Sequence, residues 1–238
     1  MDAVFFGAHP DDVELVAGGL AARLAAHGHA VAIVDLTRGE LGSRGTREER
    51  AGEADAAARE LGVAARENLT LPDLGLDRAS REQLTAVVEC LRRHRPTLVV
   101  APDRDDAHPD HVEAAALIDR ACYAAGLARL DARGERHRPV RVLHALYRSA
   151  ERPHVIVDIS EAWERKMRAV RRYASQLEAG RGPGTYLTAP GFLDEIEARA
   201  RAWGASIGAR FGEAFRARGP FAIHDARALL ATPSSGTA

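Results

Sequence analysis

The chain of 238 residues is poor in several things at once. It has two cysteines, Cys90 and Cys122, too few for a disulfide framework or a thiolate zinc cluster. Both fall in stretches with helical spacing, so buried free thiols are expected. No apolar run approaches a membrane span, and no signal peptide precedes the first apolar segment. The expectation is a cytoplasmic protein without a membrane partner. Lysine is used once, at Lys166, so arginine supplies nearly all of the 33 Lys+Arg that face 34 Asp+Glu. The formal net charge of −1 leaves no broad basic surface, which argues against nucleic acid as a partner.

What is present is a hydrophobic fraction of 46%, ample for a core, arranged as alternating strands and helices. Residues 2–8, 29–36, 68–71 and 97–101 read as short buried strands. Residues 13–27, 47–61, 80–94 and 109–125 read as helices between them, the third opening on a Ser80 cap. Two more strands are expected at 141–147 and 154–159. Two long helices are then expected at 161–177 and 190–215, joined by a glycine-rich loop, with a last short strand at 221–224. This order predicts an α/β fold: a Rossmann-like, doubly wound, mostly parallel sheet, helices on both faces, and a helical C-terminal extension. One domain over 1–230 and a disordered tail over 231–238 complete the expected organisation. A homo-oligomer is left open: an apolar face exposed in the last third would favour it.

Chemistry concentrates at two strand ends. The first strand runs into A-H-P-D-D-V-E, placing His9, Asp11, Asp12 and Glu14 together. A later strand runs into P-D-R-D-D-A-H-P-D-H, with Asp103, Asp105, Asp106, His108, Asp110 and His111. Ligands of open α/β sheets bind beyond the carboxyl ends of the strands, so both clusters should open on one edge. Each contains a His-Pro step before a helix, where proline suits the first position. His9 and Asp12 are three apart, as are His108 and His111, and residues so spaced share a helical face. Imidazole and carboxylate ligands suit zinc or another borderline divalent ion, with iron(II) an alternative in cells. Of two adjacent aspartates, one can hold the metal while the other takes a proton from water.

These motifs, with L-T-R-G-E-L-G-S-R-G-T, L-P-D-L-G-L, V-D-I-S and Y-A-S-Q, resemble the LmbE/PIG-L family of metal-dependent N-acetylglucosaminyl deacetylases over nearly the whole chain. They look most similar to the branch that makes bacillithiol, which deacetylates an N-acetylglucosaminyl malate. The resemblance implies that His9, Asp12 and His111 hold zinc, that Asp11 is the general base, and that His108 stabilises the oxyanion. It gives Asp110 the role of tuning a histidine, and Arg50 that of binding substrate. Where some relatives carry a tyrosine, two residues before H-P-D-H, this chain has Asp106. A protonated His108 would be the better oxyanion partner, so Asp110 is expected to offset the helix dipole beside it. Glu14 either caps its helix or meets a substrate hydroxyl. Tyr186, in the glycine-rich loop, either covers the sugar or packs. The other histidines, His94 and His144 among them, lack clustered partners in the sequence. Three alternatives stand beside this reading: deacetylation of another conjugate such as GlcNAc-inositol, a non-catalytic Rossmann-like binding module, and a two-metal phosphoesterase.

Overall fold

A computed structural model of the protein describes residues 1–148 and 152–220. The strand expected at 221–224 and the tail lie outside the described residues. Strands β1 (Ala3–Gly7), β2 (Val31–Thr37), β3 (Ala65–Leu71), β4 (Leu98–Ala101), β5 (Arg141–Ala145), β6 (Val155–Asp158) and β7 (Gly212–Ala217) form one sheet. Its order is β3-β2-β1-β4-β5-β7-β6. The first five strands run parallel, and β7 lies antiparallel between β5 and β6. The expected mostly parallel sheet is present, with one reversed strand near an edge.

The helices are α1 (Asp12–Ala26), α2 (Arg47–Leu61), α3 (Arg81–His94), α4 (Pro109–Ala124), α5 (Trp163–Val170), α6 (Ala174–Leu177) and α7 (Phe192–Ala205). Side chains alternate across each strand, and both faces of the sheet are covered. Val4, Phe6, Val34 and Leu36 pack against Val87 and Leu91 of α3 and Leu117 and Ile118 of α4. Ala3, Phe5, Val31 and Ile33 pack against Val13, Ala17 and Leu20 of α1 and Ala57 and Leu61 of α2. Near-continuous apolar strands follow from this two-sided burial. A third cluster, around Trp163, Met167, Phe192, Ile196 and Phe211, seats the C-terminal helices; Trp163 and Phe211 stack at 4.2 Å between ring centroids.

Four boundaries differ from the sequence reading, the first being β3, which begins at Ala65 and not at 68. The run 161–177 is broken after Val170, and Tyr173 turns inward to bond Glu14. The strand read over 141–147 stops at Ala145, leaving Tyr147 to face a cavity. The run 190–215 stops as helix at Ala205 and returns as β7. A Cβ on Gly204 would sit 2.7 Å from the Ala209 carbonyl oxygen, so glycine permits this tight reversal. Helical spacing alone does not separate such a strand from a helix, because the slot between β5 and β6 decides it.

Candidate active site

The chain runs β1, β2, β3 in one direction across the sheet, then returns to place β4 on the other side of β1. The carboxyl ends of β1 and β4 therefore flank the point where the strand order reverses, the usual ligand crevice of such sheets. Both His/Asp clusters sit there. An open cavity of about 950 Å³ lies over them, with His9, Asp11, Asp12, Arg50, His108 and His111 in its lining.

After β1 the backbone turns sharply into α1. The Asp12 carboxylate accepts from the His9 backbone N–H at 2.8 Å, and Asp11 adopts φ 111° at the cap position. That left-handed geometry is rare for a residue with a side chain and costs on the order of 1–3 kcal/mol. Arg50 holds the turn from behind, donating to the Pro10 carbonyl at 2.8 Å and the Gly39 carbonyl at 2.9 Å. Its guanidinium lies 3.7 Å from the Asp11 carboxylate. Arg50 is buried, with its guanidinium committed to this turn.

After β4 a loop leads to His108, which caps α4 ahead of Pro109. His108 Nδ1 accepts from the Asp110 backbone N–H at 3.2 Å. The proton of the neutral ring then sits on Nε2, leaving that atom a donor. The rings of His9, His108 and His111 lie 4.7 to 5.5 Å apart between centroids.

Asp12 stands between two imidazoles. Its oxygens lie 3.6 Å from His9 Nδ1 and 3.2 Å from His111 Nε2. Donors at zinc bond lengths of ~2.0–2.2 Å in a tetrahedron lie roughly 3.3–3.6 Å apart. Both contacts are of that order but use different Asp12 oxygens, and the donors that gather within 4.8 Å of one another at this point are those of His9, His108 and His111. The outer nitrogens are fixed as well. His9 Nε2 meets Asp73 at 3.2 Å and Asp110 at 3.4 Å, and His111 Nδ1 meets Asp106 at 3.0 Å. Carboxylates behind ligating imidazoles are the usual device that sets ring tautomer and orientation.

The electrostatics favour a cation at this point. Burial opposes charge on His9, but Asp110, Asp12 and Asp73 outweigh it and raise its pKa to about 12. Burial likewise opposes charge on His111, but Asp12 and Asp106 lift it to about 10. His108 is pushed down, by burial first and then by the two neighbouring histidines. Asp11 is raised to about 7, chiefly by burial, with Arg50 opposing and Asp12 adding.

Several expectations are corrected. Glu14 is fully buried and does not line the cavity; it bonds Arg66 and the Tyr173 hydroxyl beneath the site. It neither caps α1 nor reaches a substrate. The Asp110 carboxylate contacts His9 and the Leu74 backbone N–H; its charge still favours a protonated His108, but burial and the two neighbouring histidines outweigh it. His94 does have neighbours, Glu67 and Cys90. His144 is buried and bonds the Pro102 carbonyl at 2.8 Å. Tyr186 stands at the cavity mouth, bonded to Glu195 and covered by Arg148 at 4.4 Å. Asp73 and Asp106 escaped the sequence reading as orienters. Asp73 lies in the quoted L-P-D-L-G-L stretch, and only its place beyond β3 reveals its partner.

The profile of the PIG-L family, GlcNAc-PI de-N-acetylase, matches residues 4–122, half of the chain. The diacetylchitobiose deacetylase of Thermococcus kodakarensis is 32% identical over 184 residues, covering 71% of this chain and 67% of its own length. A 1D-myo-inositol 2-acetamido-2-deoxy-alpha-D-glucopyranoside deacetylase of Nocardiopsis dassonvillei is 32% identical over 50% of this chain; the chain spans about half of that relative, 54%. Among solved structures, the conserved protein TT1542 of Thermus thermophilus is 37% identical, with a TM-score of 0.86 over 94% of this chain and 97% of its own. The matched segment holds every residue of the His/Asp centre, and the chain belongs to the PIG-L family of de-N-acetylases.

Proposed function

We propose that the chain hydrolyses the N-acetyl group of a GlcNAc conjugate with the help of one zinc ion, iron(II) being an alternative in cells. The observation that carries this reading is the Asp12 carboxylate set between His9 Nδ1 and His111 Nε2, with the adjacent Asp11 carboxylate 3.7 Å from Arg50. His9, Asp12 and His111 would hold the ion. When bound, it polarises the amide carbonyl and acidifies water.

The chain's own groups then divide the work. Asp11, buried at the cavity floor, takes a proton from the attacking water and returns it to the departing amine nitrogen. A carboxyl raised toward neutrality by burial suits both transfers. His108 offers its Nε2–H to the oxygen on which charge develops. A neutral ring suffices for this, because the Asp110 backbone N–H already fixes its tautomer. Arg50 braces the turn that carries Asp11 and also borders the cavity, where a sugar hydroxyl is its natural partner. Tyr186 at the mouth would lie against the aglycone.

N-acetylglucosaminyl malate is the substrate favoured by the sequence motifs. The size of the cavity supports a substrate larger than one sugar ring, and Arg148 at its mouth suits a carboxylate. The test is amine release from N-acetylglucosaminyl malate, GlcNAc-inositol and diacetylchitobiose by the metal-loaded protein. Preference for the first is expected. Preference for either of the others replaces the aglycone; no amine from any of the three overturns the deacetylase reading and favours the binding module.

A further inference from the structure

A second group of metal-type donors lies outside the His/Asp centre. Glu67 on β3 meets Cys90 and His94 on α3. Cys90 and His94 are four apart, so they share one face of the helix. The Cys90 Sγ lies 3.0 Å from Glu67 Oε1, and His94 Nε2 lies 3.2 Å from the same oxygen. One donor atom from each residue falls within 4.8 Å of the others. His94 Nε2 is buried, and the direction of its approach to Glu67 makes no hydrogen bond. A buried imidazole nitrogen that meets a carboxylate without hydrogen-bond geometry is poorly satisfied, and a ligand that takes its lone pair satisfies it.

The location separates this group from the deacetylase centre. His94 ends α3 just before β4 begins, and its carbonyl accepts from the Met1 ammonium at the start of β1. The group thus sits toward the amino ends of the strands, whereas His9 and His111 lie beyond the carboxyl ends.

We propose that Glu67, Cys90 and His94 form a second metal site, taking a thiophilic divalent cation of the zinc class. Carboxylate, imidazole and thiolate together select for such an ion over magnesium or calcium. Binding replaces the Cys90 thiol proton, which is released to solvent, and Glu67, partly open to solvent, leaves room for a water as fourth ligand. The ion ties edge strand β3 to the end of α3, which makes it a structural clamp. Arg93 is the competing cation: its Nη2 donates to Glu67 Oε1 at 2.7 Å and Oε2 at 3.0 Å. Its exposed arm must give up Oε1 when the metal arrives.

Cobalt(II) titration of the full chain tests this, because a thiolate–cobalt charge-transfer band reports sulfur ligation alone. The deacetylase centre offers only nitrogen and oxygen donors, and Cys122 lies on the buried face of α4, in the core. The band is expected in the parent and in Cys122→Ser. It should vanish in Cys90→Ser, and His94→Gln should weaken cobalt binding at least 10-fold. Arg93→Ala should tighten it. Should Cys90→Ser fail to fold, the His94→Gln and Arg93→Ala pair still decides, since both lie at the end of the helix. Absence of the band in the parent, its persistence in Cys90→Ser, or equal cobalt affinity in His94→Gln and the parent each overturns the proposal. None of these outcomes depends on deacetylation.

Discussion

At the scale of single residues, the centre separates groups by which neighbour each one faces. Asp11 and Asp12 are adjacent, yet the left-handed turn at Asp11 sends their carboxylates to different tasks. Asp12 answers two imidazoles, while the Asp11 carboxylate lies 3.7 Å from the Arg50 guanidinium. Asp11→Asn should therefore keep its metal and lose turnover. A drop in kcat of about 10²–10⁴-fold is expected from removing a general base, with metal content by atomic emission unchanged. Loss of metal in step with activity would make Asp11 a ligand instead. Asp106 gives the complementary case. Its contact at 3.0 Å with His111 Nδ1 turns Nε2 toward Asp12. Asp106→Asn should weaken zinc binding roughly 10–100-fold, the usual cost of losing a carboxylate behind a ligating histidine. Competition against a chromogenic chelator measures it, and unchanged affinity would detach Asp106 from the centre. The ligand and proton-acceptor roles are proposed, but the clustering of His9, Asp11, Asp12, His108 and His111 over one cavity is legible in A-H-P-D-D and H-P-D-H because each pair is local. Asp73 and the pairing of Asp110 with His9 are not, because those contacts span 64 positions or more and exist only once β3, α1 and α4 are placed.

At the scale of elements, strands and helices whose boundaries rest on local chemistry stand where the sequence puts them. The Thr46 capping box, the Ser80 cap and the His108-Pro109 start are examples. The last third departs because long-range contacts decide it. Glu213 shows why β7 is held so firmly. Its carboxylate accepts from the Gly19 and Leu20 backbone N–H groups of α1 at 2.8 and 2.7 Å, and from Lys166 of α5 at 2.7 Å. The single lysine of the chain is thus committed to a buried ion pair that joins α1, α5 and β7. Lys166→Met leaves the Glu213 charge buried without its cation, which costs about 3–5 kcal/mol. Urea unfolding should show that loss with an unchanged slope. The double variant Lys166→Met with Glu213→Gln should recover part of it, since no charge then remains. A single-variant loss below about 1 kcal/mol would mean that the two backbone donors satisfy the carboxylate alone.

For the whole molecule, the sheet order places the reversal between β1 and β4, and the chemistry follows from that placement. The doubly wound pattern is readable because buried parallel strands need near-continuous apolar runs; the reversed β7 is not, because its neighbours come from distant segments. The same side of the molecule carries a charge cluster that links folding to acid. Asp119 on α4 sits among Arg104, Arg218 and His144, with His144 Nε2 at 3.4 Å and Arg104 Nη2 at 2.6 Å. Burial alone would raise its pKa, but the nearby His144 imidazole and the two arginines hold it below the usual Asp value of 3.8. A carboxyl whose folded pKa lies below its unfolded one adds stability above the unfolded value. It loses that contribution as pH falls through the folded value. Acid should therefore weaken the parent progressively below about pH 4 through this group. Asp119→Asn should be less stable than the parent at neutral pH, and the gap should close as the pH is lowered through that range. Denaturant midpoints at a series of pH values measure the gap, and a difference that stays constant into acid would assign the loss to packing and not to the charge.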